Sequence, residues 1–251
     1  MVRTFLVRGM LVGIVAGLLS FGFLKVYGEP QVDRAIAFEE QMEEAKADFA
    51  KHHSMPVPKE QPELVSRPVQ AGLGLFTAVM VYSAAFGGLF GLAFAFAQGR
   101  AAGELSPQAL AALLALIGFI AIYLVPNLKY PANPPSVGNP ETIGTRTVLY
   151  FGMIGISLVA MVGAVNFRRM LAVRCGTWNA TLVVAAYYVV VMMVVALLLP
   201  AVDEVPGEFP AVVLWNFRMA SLAAQLIMWT TLGLLFGTLT QRAATLGKRE
   251  A

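Results

Sequence analysis

The chain has 251 residues, of which 58% are hydrophobic and 13% are charged, and its mean hydropathy is +0.70. Soluble domains carry about 25% charged residues, so this composition excludes an ordinary soluble enzyme and indicates a protein surrounded mostly by lipid. The net charge is only +3, and the basic residues are not gathered on one face among aromatic residues, which excludes the usual pattern of nucleic-acid binding.

Six stretches are long enough and sufficiently free of charge to cross a bilayer, which takes about 20 apolar residues. They run approximately over residues 4–27, 68–98, 106–128, 147–167, 176–201 and 211–241. The first stretch has no small-x-small cleavage site at its end, so we expect it to be a retained helix and not a signal peptide. The sequence therefore predicts an all-α polytopic membrane bundle with six transmembrane helices.

The longest predicted extramembrane segment, residues 28–67, divides into a helical part and a proline-rich part. Four apolar residues recur at intervals of four, three and four, which predicts a short amphipathic helix over about 32–51 on the external surface of the bundle. The prolines that follow prevent continued helix and predict a stiff return to the second span. The apolar residues are Phe38, Met42, Ala45 and Phe49, and the prolines are Pro56, Pro58, Pro62 and Pro68.

The polar face of this helix carries acidic residues and a histidine at a spacing of four. Like charges at that spacing repel by a few tenths of a kcal/mol per pair, and a bound cation would relieve the repulsion. Carboxylates with imidazole suit a borderline divalent ion such as cobalt, nickel or zinc. The pattern is equally typical of a solvated face partly neutralised by nearby basic residues. The sequence therefore allows two interpretations, namely a surface that collects cations loosely and a solvent-exposed acidic face that binds none. The residues are Glu40, Glu44, Asp48 and His52.

Two further outer loops, residues 126–146 and 200–210, are dense in proline, which favours ordered loops that hold a shape over the bundle. An arginine that enters hydrocarbon is normally paired, so we expect Arg218, in the first turns of the sixth span, to contact Asp203, Glu204 or Glu208. The candidates for an entrance or gate on this side are Glu29, Asp33, Asn133, Glu141, Asp203, Glu204 and Arg218.

A pattern repeats along the chain, because each helix that returns from an outer segment begins near an arginine, namely Arg67, Arg146 or Arg218. This predicts three helical hairpins related by a pseudo-threefold axis along the membrane normal. Chance similarity of residues at the membrane interface explains the same repeat.

Pairs of glycines four residues apart predict close approach of helix backbones inside lipid. They are Gly9, Gly13 and Gly17 on the first span, Gly87 and Gly91 on the second, and Gly233 and Gly237 on the sixth.

The charges of the segments between spans predict the orientation. One set of segments, which includes both termini, is basic and has Glu104 and Glu250 as its acids, whereas the other set holds thirteen of the fifteen carboxylates. By the positive-inside rule the basic set is cytoplasmic and the acidic loops are external. The basic residues are Arg3, Arg8, Arg100, Arg168, Arg169, Arg174, Arg242, Lys248 and Arg249.

Motifs for catalysis or nucleotide binding are absent from the sequence, including G-x-x-x-x-G-K-[ST], H-E-x-x-H and G-x-S-x-G. The single cysteine, Cys175, excludes an internal disulfide and a thiolate cluster. We therefore expect no enzyme activity and no bound cofactor, and any energy coupling must come from a gradient or a partner.

Residues 124–147 read LVPNLKYPANPPSVGNPETIGTRT, and this proline-phased run resembles the signature loop of the CbtA family, the predicted cobalt transporter subunits. Residues 28–33 (GEPQVD), 199–206 (LPAVDEVP) and 214–218 (LWNFR) agree with it, so the resemblance covers nearly the whole chain. It implies uptake of cobalt across a bacterial inner membrane for cobalamin synthesis, with a small single-span partner, CbtB, whose tail carries histidines. The family is usually described with five spans, whereas the charge pattern here favours six.

Two functions remain open at this point. The first is a membrane subunit for uptake of a divalent cation, with cobalt as the transported ligand, in which the acidic outer face concentrates the ion. The second is a non-transporting scaffold in the bilayer that docks to a larger membrane complex through its ordered outer loops. The scarcity of ionisable residues within the spans supports the second.

Overall fold

A computed structural model describes residues 2–54, 65–101, 105–135 and 137–247 of the chain. The described residues form helices joined by short loops, with no β-strand among them. Of the prolines in the predicted stiff return, Pro56, Pro58 and Pro62 lie outside the described residues, and Pro68 lies in the short helix Arg67–Val69.

Eight α-helices make up the described structure, and three of them are extended by π-helical turns. The helices are α1 (Val2–Phe23), α2 (Glu29–His52), α3 (Arg67–Val69), α4 (Leu75–Ala101), α5 (Pro107–Gly118), α6 (Val125–Lys129), α7 (Ile143–Leu198) and α8 (Ala211–Gly247). The π-helical turns Leu24–Gly28, Gln70–Gly74 and Phe119–Leu124 join α1 to α2, α3 to α4 and α5 to α6. Pro30 and Pro126 lie just after two of these π-helical turns. Because proline has no backbone N–H, it removes one α-helical hydrogen bond next to the turn.

Five helical segments of the described residues are long and apolar enough to cross a membrane, which is consistent with a membrane helical bundle. They are Val2–His52, Arg67–Arg100, Pro107–Lys129, Pro140–Leu198 and Ala211–Leu246. The fourth contains a break at Gly176, whose φ of 79° and ψ of 160° are not helical. The prediction of six transmembrane helices and of three symmetric hairpins stays a prediction.

By its internal contacts the chain divides into two compact units. Unit 1 comprises residues 1–115, 133–137 and 206–251, and unit 2 comprises residues 116–132 and 138–205. Unit 1 therefore contains α1 to α4, most of α5, and α8, and unit 2 contains α6 and α7.

In unit 1, α1 packs against α4 with the two backbones in contact. A Cβ atom on Gly9 would overlap the carbonyl oxygen of Gly87, and one on Gly13 would overlap the carbonyl oxygen of Ser83. Residue numbers rise along α1 as they fall along α4, so the two helices are antiparallel. The predicted close approach at these glycines is confirmed, and only a residue without a side chain fits there.

Helix α8 completes unit 1 by packing against α1 and α5 and, through aromatic rings, against α4. Ser20 Oγ donates to the carbonyl oxygen of Ala224, and Arg8 Nη1 donates to Thr240 Oγ1 at 2.9 Å, so α8 is antiparallel to α1. Gly237 of α8 lies against Gln108 of α5. Near one end of the unit four phenylalanine rings pack with centroids 5.0 to 6.4 Å apart, and they are Phe5, Phe90, Phe94 and Phe236.

Unit 2 is built on α7, which doubles back on itself at Gly176. Ser157 Oγ and Tyr188 Oη lie 2.7 Å apart although 31 residues separate them, and a straight helix would hold them about 46 Å apart. The two halves of α7 are therefore side by side and antiparallel. Their shared core is formed by Tyr130, Met153, Ala164, Val184, Tyr188 and Met192.

The segment predicted as a separate surface helix over 32–51 is α2, which continues from α1 without a loop. Gln31, Ala35 and Ala50 are its buried residues after Glu29. Phe38 packs edge to face on Phe209 at 5.2 Å between ring centroids, whereas Phe49 is exposed and stacks on His53. Phe38 thus packs against unit 1, whereas Ala45 and Phe49 are exposed and Ala50 is buried near the end of α2.

Candidate functional site

Three arginines at the beginning of helices α3, α7 and α8 each bind a polar group in a neighbouring segment. We call these contacts the arginine clamps, and they centre on Arg67, Arg146 and Arg218. Arg67 and Arg218 belong to unit 1, and Arg146 belongs to unit 2.

The Arg67 clamp joins the first turn of α3 to the first turns of α2. Arg67 Nη2 lies 2.5 Å from Glu29 Oε2 and 2.8 Å from Asp33 Oδ1, and Arg67 Nε donates to the same Asp33 oxygen at 3.1 Å. Glu29 is buried, while Asp33 is largely exposed. A buried carboxylate requires a counter-charge, so Arg67 holds α2 in place at this point. Glu29 and Asp33, predicted as entrance residues, are brought together here.

The Arg218 clamp joins α8 to the loop before α7. Arg218 Nη2 donates to Asn133 Oδ1 at 2.8 Å, which brings together two of the predicted entrance residues. The Asn133 amide oxygen accepts this hydrogen bond without adding a charge. The expected contact of Arg218 with a carboxylate among Asp203, Glu204 and Glu208 stays a prediction.

The Arg146 clamp ties the loop before α7 to the loop after it. Arg146 Nε lies 3.3 Å from Glu204 Oε2, and Arg146 Nη2 donates to the carbonyl oxygen of Asn139 at 3.1 Å. Asn139 in turn donates its backbone N–H to Glu204 Oε2 at 2.8 Å. Hydrogen bonding from Thr142 and from the Asn139 amide, with the charge of Arg146, lowers the pKa of Glu204 below its ordinary value.

Two local features of the loop shape the Arg146 clamp. Gly138 has a φ of 117°, a conformation that favours glycine, and a Cβ atom there would overlap the guanidinium of Arg146. Asn139 accepts a hydrogen bond from the backbone N–H of Glu141 at its Oδ1 and caps the short 3₁₀ helix Pro140–Thr142 that leads into α7. The proline-rich loop is therefore ordered by specific contacts around Asn139.

The remaining predicted site residues are exposed. Glu141 and Asp203 both face solvent, and no clamp contact of theirs is present among the described residues. Along α2, Glu40, Glu44, Asp48 and His52 are all exposed, and Asp48 is 3.2 Å from Lys51 Nζ. In the described ranges no group of three or more His, Cys, Asp or Glu side chains is placed to hold a metal ion. The structure therefore gives α2 an open acidic surface.

Arg67 and Arg146 were not among the predicted site residues, although the sequence contained a signal for them. Both follow the repeated placement of an arginine at the start of a returning helix, which drew attention to Arg218 alone. Reading that repeat as three equivalent contacts would have predicted all three clamps.

Comparison with known protein families gives a match over most of the chain. A family model described as "Probable cobalt transporter subunit (CbtA)" matches residues 2–241. No curated protein and no solved structure matches the chain significantly.

Proposed function

Because the chain belongs to the CbtA family of probable cobalt transporter subunits, we propose that it is the membrane subunit through which a bacterium takes up a divalent transition-metal cation, cobalt first, for cobalamin synthesis. The family match over residues 2–241 carries the proposal. The five long apolar helices fit a subunit that lies in the bilayer.

The proposal includes an inner-membrane topology with six crossings, cytoplasmic termini and external acidic loops. The doubling back of α7 at Gly176 supports the sixth crossing, since each half of α7 has more than 20 residues. The distribution of charge supports the orientation, because arginines dominate the segments assigned to the cytoplasm.

In this proposal the acidic surface collects the cation and the clamped loops form the entrance. Glu40, Glu44 and Asp48 are exposed on one face of α2, and their field raises the local concentration of a divalent cation without a closed site. The Arg67 and Arg218 clamps hold the start of α2 and the loop at Asn133 within unit 1, and the Arg146 clamp holds the loop at Asn139 within unit 2. Each of these segments thereby keeps its shape as ions pass.

The proposed partner subunit is suggested by the family resemblance and not by a contact surface in the structure. A single-span CbtB-like subunit with a histidine-bearing tail would supply the imidazole ligands that this chain, with His52 and His53 as its two histidines, has in short supply. The same outer loops offer a docking surface for a larger membrane complex, which is the scaffold alternative.

Uptake of radioactive cobalt into proteoliposomes tests the proposal. We expect cobalt to accumulate in vesicles that contain the full chain with its single-span partner, above the level in empty vesicles, and to be reduced by excess unlabelled cobalt. Accumulation at the empty-vesicle level, with and without the partner, would refute transport and favour the scaffold.

A variant of the acidic surface tests the collecting role within the same assay. Glu40→Gln, Glu44→Gln and Asp48→Asn together should raise the half-saturating cobalt concentration severalfold and leave the maximal rate unchanged, because collection precedes passage. Glu208→Gln, which removes an outer carboxylate outside α2, is the matched control and should change neither value. An unchanged half-saturating concentration in the triple variant would show that the acidic face of α2 does not collect the cation.

A further inference from the structure

The end of unit 2 at which α7 reverses direction carries an unusual combination of side chains. Phe167 and Tyr187 have ring centroids 6.0 Å apart, and Arg168 Nε donates to Thr181 Oγ1 at 2.8 Å. Residues 168–178 are therefore the adjoining ends of the two antiparallel halves, on either side of the break at Gly176. We call residues 168–178 the basic turn.

The basic turn has three arginines and no acidic residue near it along the chain. The interval between Glu141 and Asp203 contains no Asp or Glu, and both of those acids lie beyond the opposite ends of the two halves. Arg168 is half-buried and bound to Thr181, whereas Arg169 and Arg174 are exposed and form no ion pair within the described ranges. Unit 2 therefore presents a positive charge here without an anion of its own.

Large apolar side chains are exposed beside these charges. The exposed fractions are 89% for Val173, 73% for Trp178 and 70% for Met170. Arginine and tryptophan together are typical of the boundary between hydrocarbon and headgroups, where the ring lies at the level of the headgroups and the cation contacts phosphate.

We propose that the basic turn is a binding site for the phosphate of an anionic phospholipid, held by Arg169 and Arg174, with Trp178, Val173 and Met170 against the start of the acyl chains. Guanidinium groups bind phosphate oxygens through paired N–H donors. The Arg168 to Thr181 hydrogen bond fixes the turn and leaves the other two arginines available to the lipid. This site is independent of cobalt transport and of which side of the membrane the turn faces.

The exposed Cys175, the single cysteine of the chain, allows a direct test on the full-length protein. A thiol-reactive fluorescent donor on Cys175 is used in phosphatidylcholine nanodiscs that contain a small fraction of acceptor-labelled lipid. We expect energy transfer to acceptor-labelled phosphatidylglycerol to exceed transfer to acceptor-labelled phosphatidylcholine. Arg169→Gln with Arg174→Gln should reduce this enrichment by up to about five-fold per charge removed, and Arg169→Lys with Arg174→Lys should retain most of it.

The control removes two other basic residues, Arg3→Gln with Arg242→Gln, and should leave the enrichment unchanged. Equal transfer to the two lipids, or loss of enrichment in the control as well as in the turn variant, would overturn the proposal. Enrichment that millimolar inorganic phosphate abolishes would assign the site to the free anion and would also overturn it. Enrichment that vanishes only when another membrane protein is removed from the preparation would assign the turn to a protein partner.

Discussion

The two units use glycine in opposite ways. In unit 1, a methyl group on Gly9, Gly13, Gly87 or Gly91 would overlap the backbone of the facing helix. In unit 2, a Cβ atom on Gly152, Gly155 or Gly163 of α7 would have no atom of a neighbouring segment within 4 Å. The presence of glycines alone therefore does not identify a helix interface, whereas the spacing of four in α1 and α4 coincides with one. In lipid the hydrophobic effect does not drive helices together, so their association depends on close packing. In unit 1 the close packing is direct contact between the backbones of α1 and α4.

Unit 2 packs instead through large side chains and one buried hydroxyl pair. Met153, Tyr188 and Met192 fill the space between the halves of α7, and the hydroxyls of Ser157 and Tyr188 are 2.7 Å apart. Such side chains can adjust to a change of one methyl group more easily than two touching backbones can. We therefore expect the two units to differ strongly in tolerance to added volume.

The largest effect is expected when a methyl group is added at the backbone contact of unit 1. Gly87→Ala should destabilise the fold by about 3 kcal/mol, the upper end of the range for overpacking, because the methyl group would overlap the carbonyl oxygen of Gly9. Unfolding of the purified full chain in mixed detergent and SDS micelles measures the change.

Gly155→Ala on α7 is the matched control, since the same methyl group meets open space there. It should be neutral or stabilising by about 0.5 kcal/mol, because glycine is a poorer helix former than alanine. Equal stability of the two variants would mean that the close approach of α1 and α4 does not determine packing in unit 1.

A smaller effect is expected at the Arg67 clamp of unit 1. Arg67→Ala leaves the buried carboxylate of Glu29 without its counter-charge and should cost about 2 kcal/mol. Glu29→Gln added to Arg67→Ala should recover part of the loss, whereas Asp33→Asn alone should cost less than about 1 kcal/mol because Asp33 is exposed. The same unfolding assay, run as a double-mutant cycle, would exclude the clamp if the two changes at Arg67 and Glu29 were simply additive.

Much of the fold could be predicted from sequence because membrane helices are identified by length and apolarity. The glycine contacts of α1 and α4 were also predictable, since a spacing of four places small residues on one helix face. The continuity of α1 with α2 was not, because Pro30 is typical of a helix break, and here a π-helical turn carries the chain past it. Periodicity does not show such a local adjustment.

For the candidate site, the sequence indicated the positions of the arginines better than it indicated the groups that they bind. Position in the sequence places an arginine at a helix start, but the contact of Arg218 with Asn133 depends on how the proline-rich loop folds back. Glu204, one of the carboxylates expected for Arg218, is bound by Arg146 and by the backbone of Asn139. Loop conformation of this kind is set by contacts between distant residues.

The smallest expected effect concerns the Arg146 clamp of unit 2, where the carboxylate lies in a loop. The pKa of Glu204 is lowered, so its contribution to the fold is fully present above about pH 4.3, the ordinary glutamate pKa, and is lost as the pH falls through the lowered pKa. The Asn139 amide, which donates to Glu204, reports this change through hydrogen exchange. After correction for intrinsic rates, its protection should fall in that acidic range in the wild-type chain.

Glu204→Gln separates this titration from general loosening of the loop. The Asn139 amide of this variant should be weakly protected at every pH and show no acidic step, because an amide oxygen does not titrate and attracts Arg146 less than a carboxylate does. The Tyr130 amide, which donates to the carbonyl oxygen of Pro126 at 2.9 Å in the same unit, is the internal control. A step of equal size at Tyr130, or one that persists in Glu204→Gln, would show that acid loosens unit 2 as a whole and that Glu204 does not control the loop.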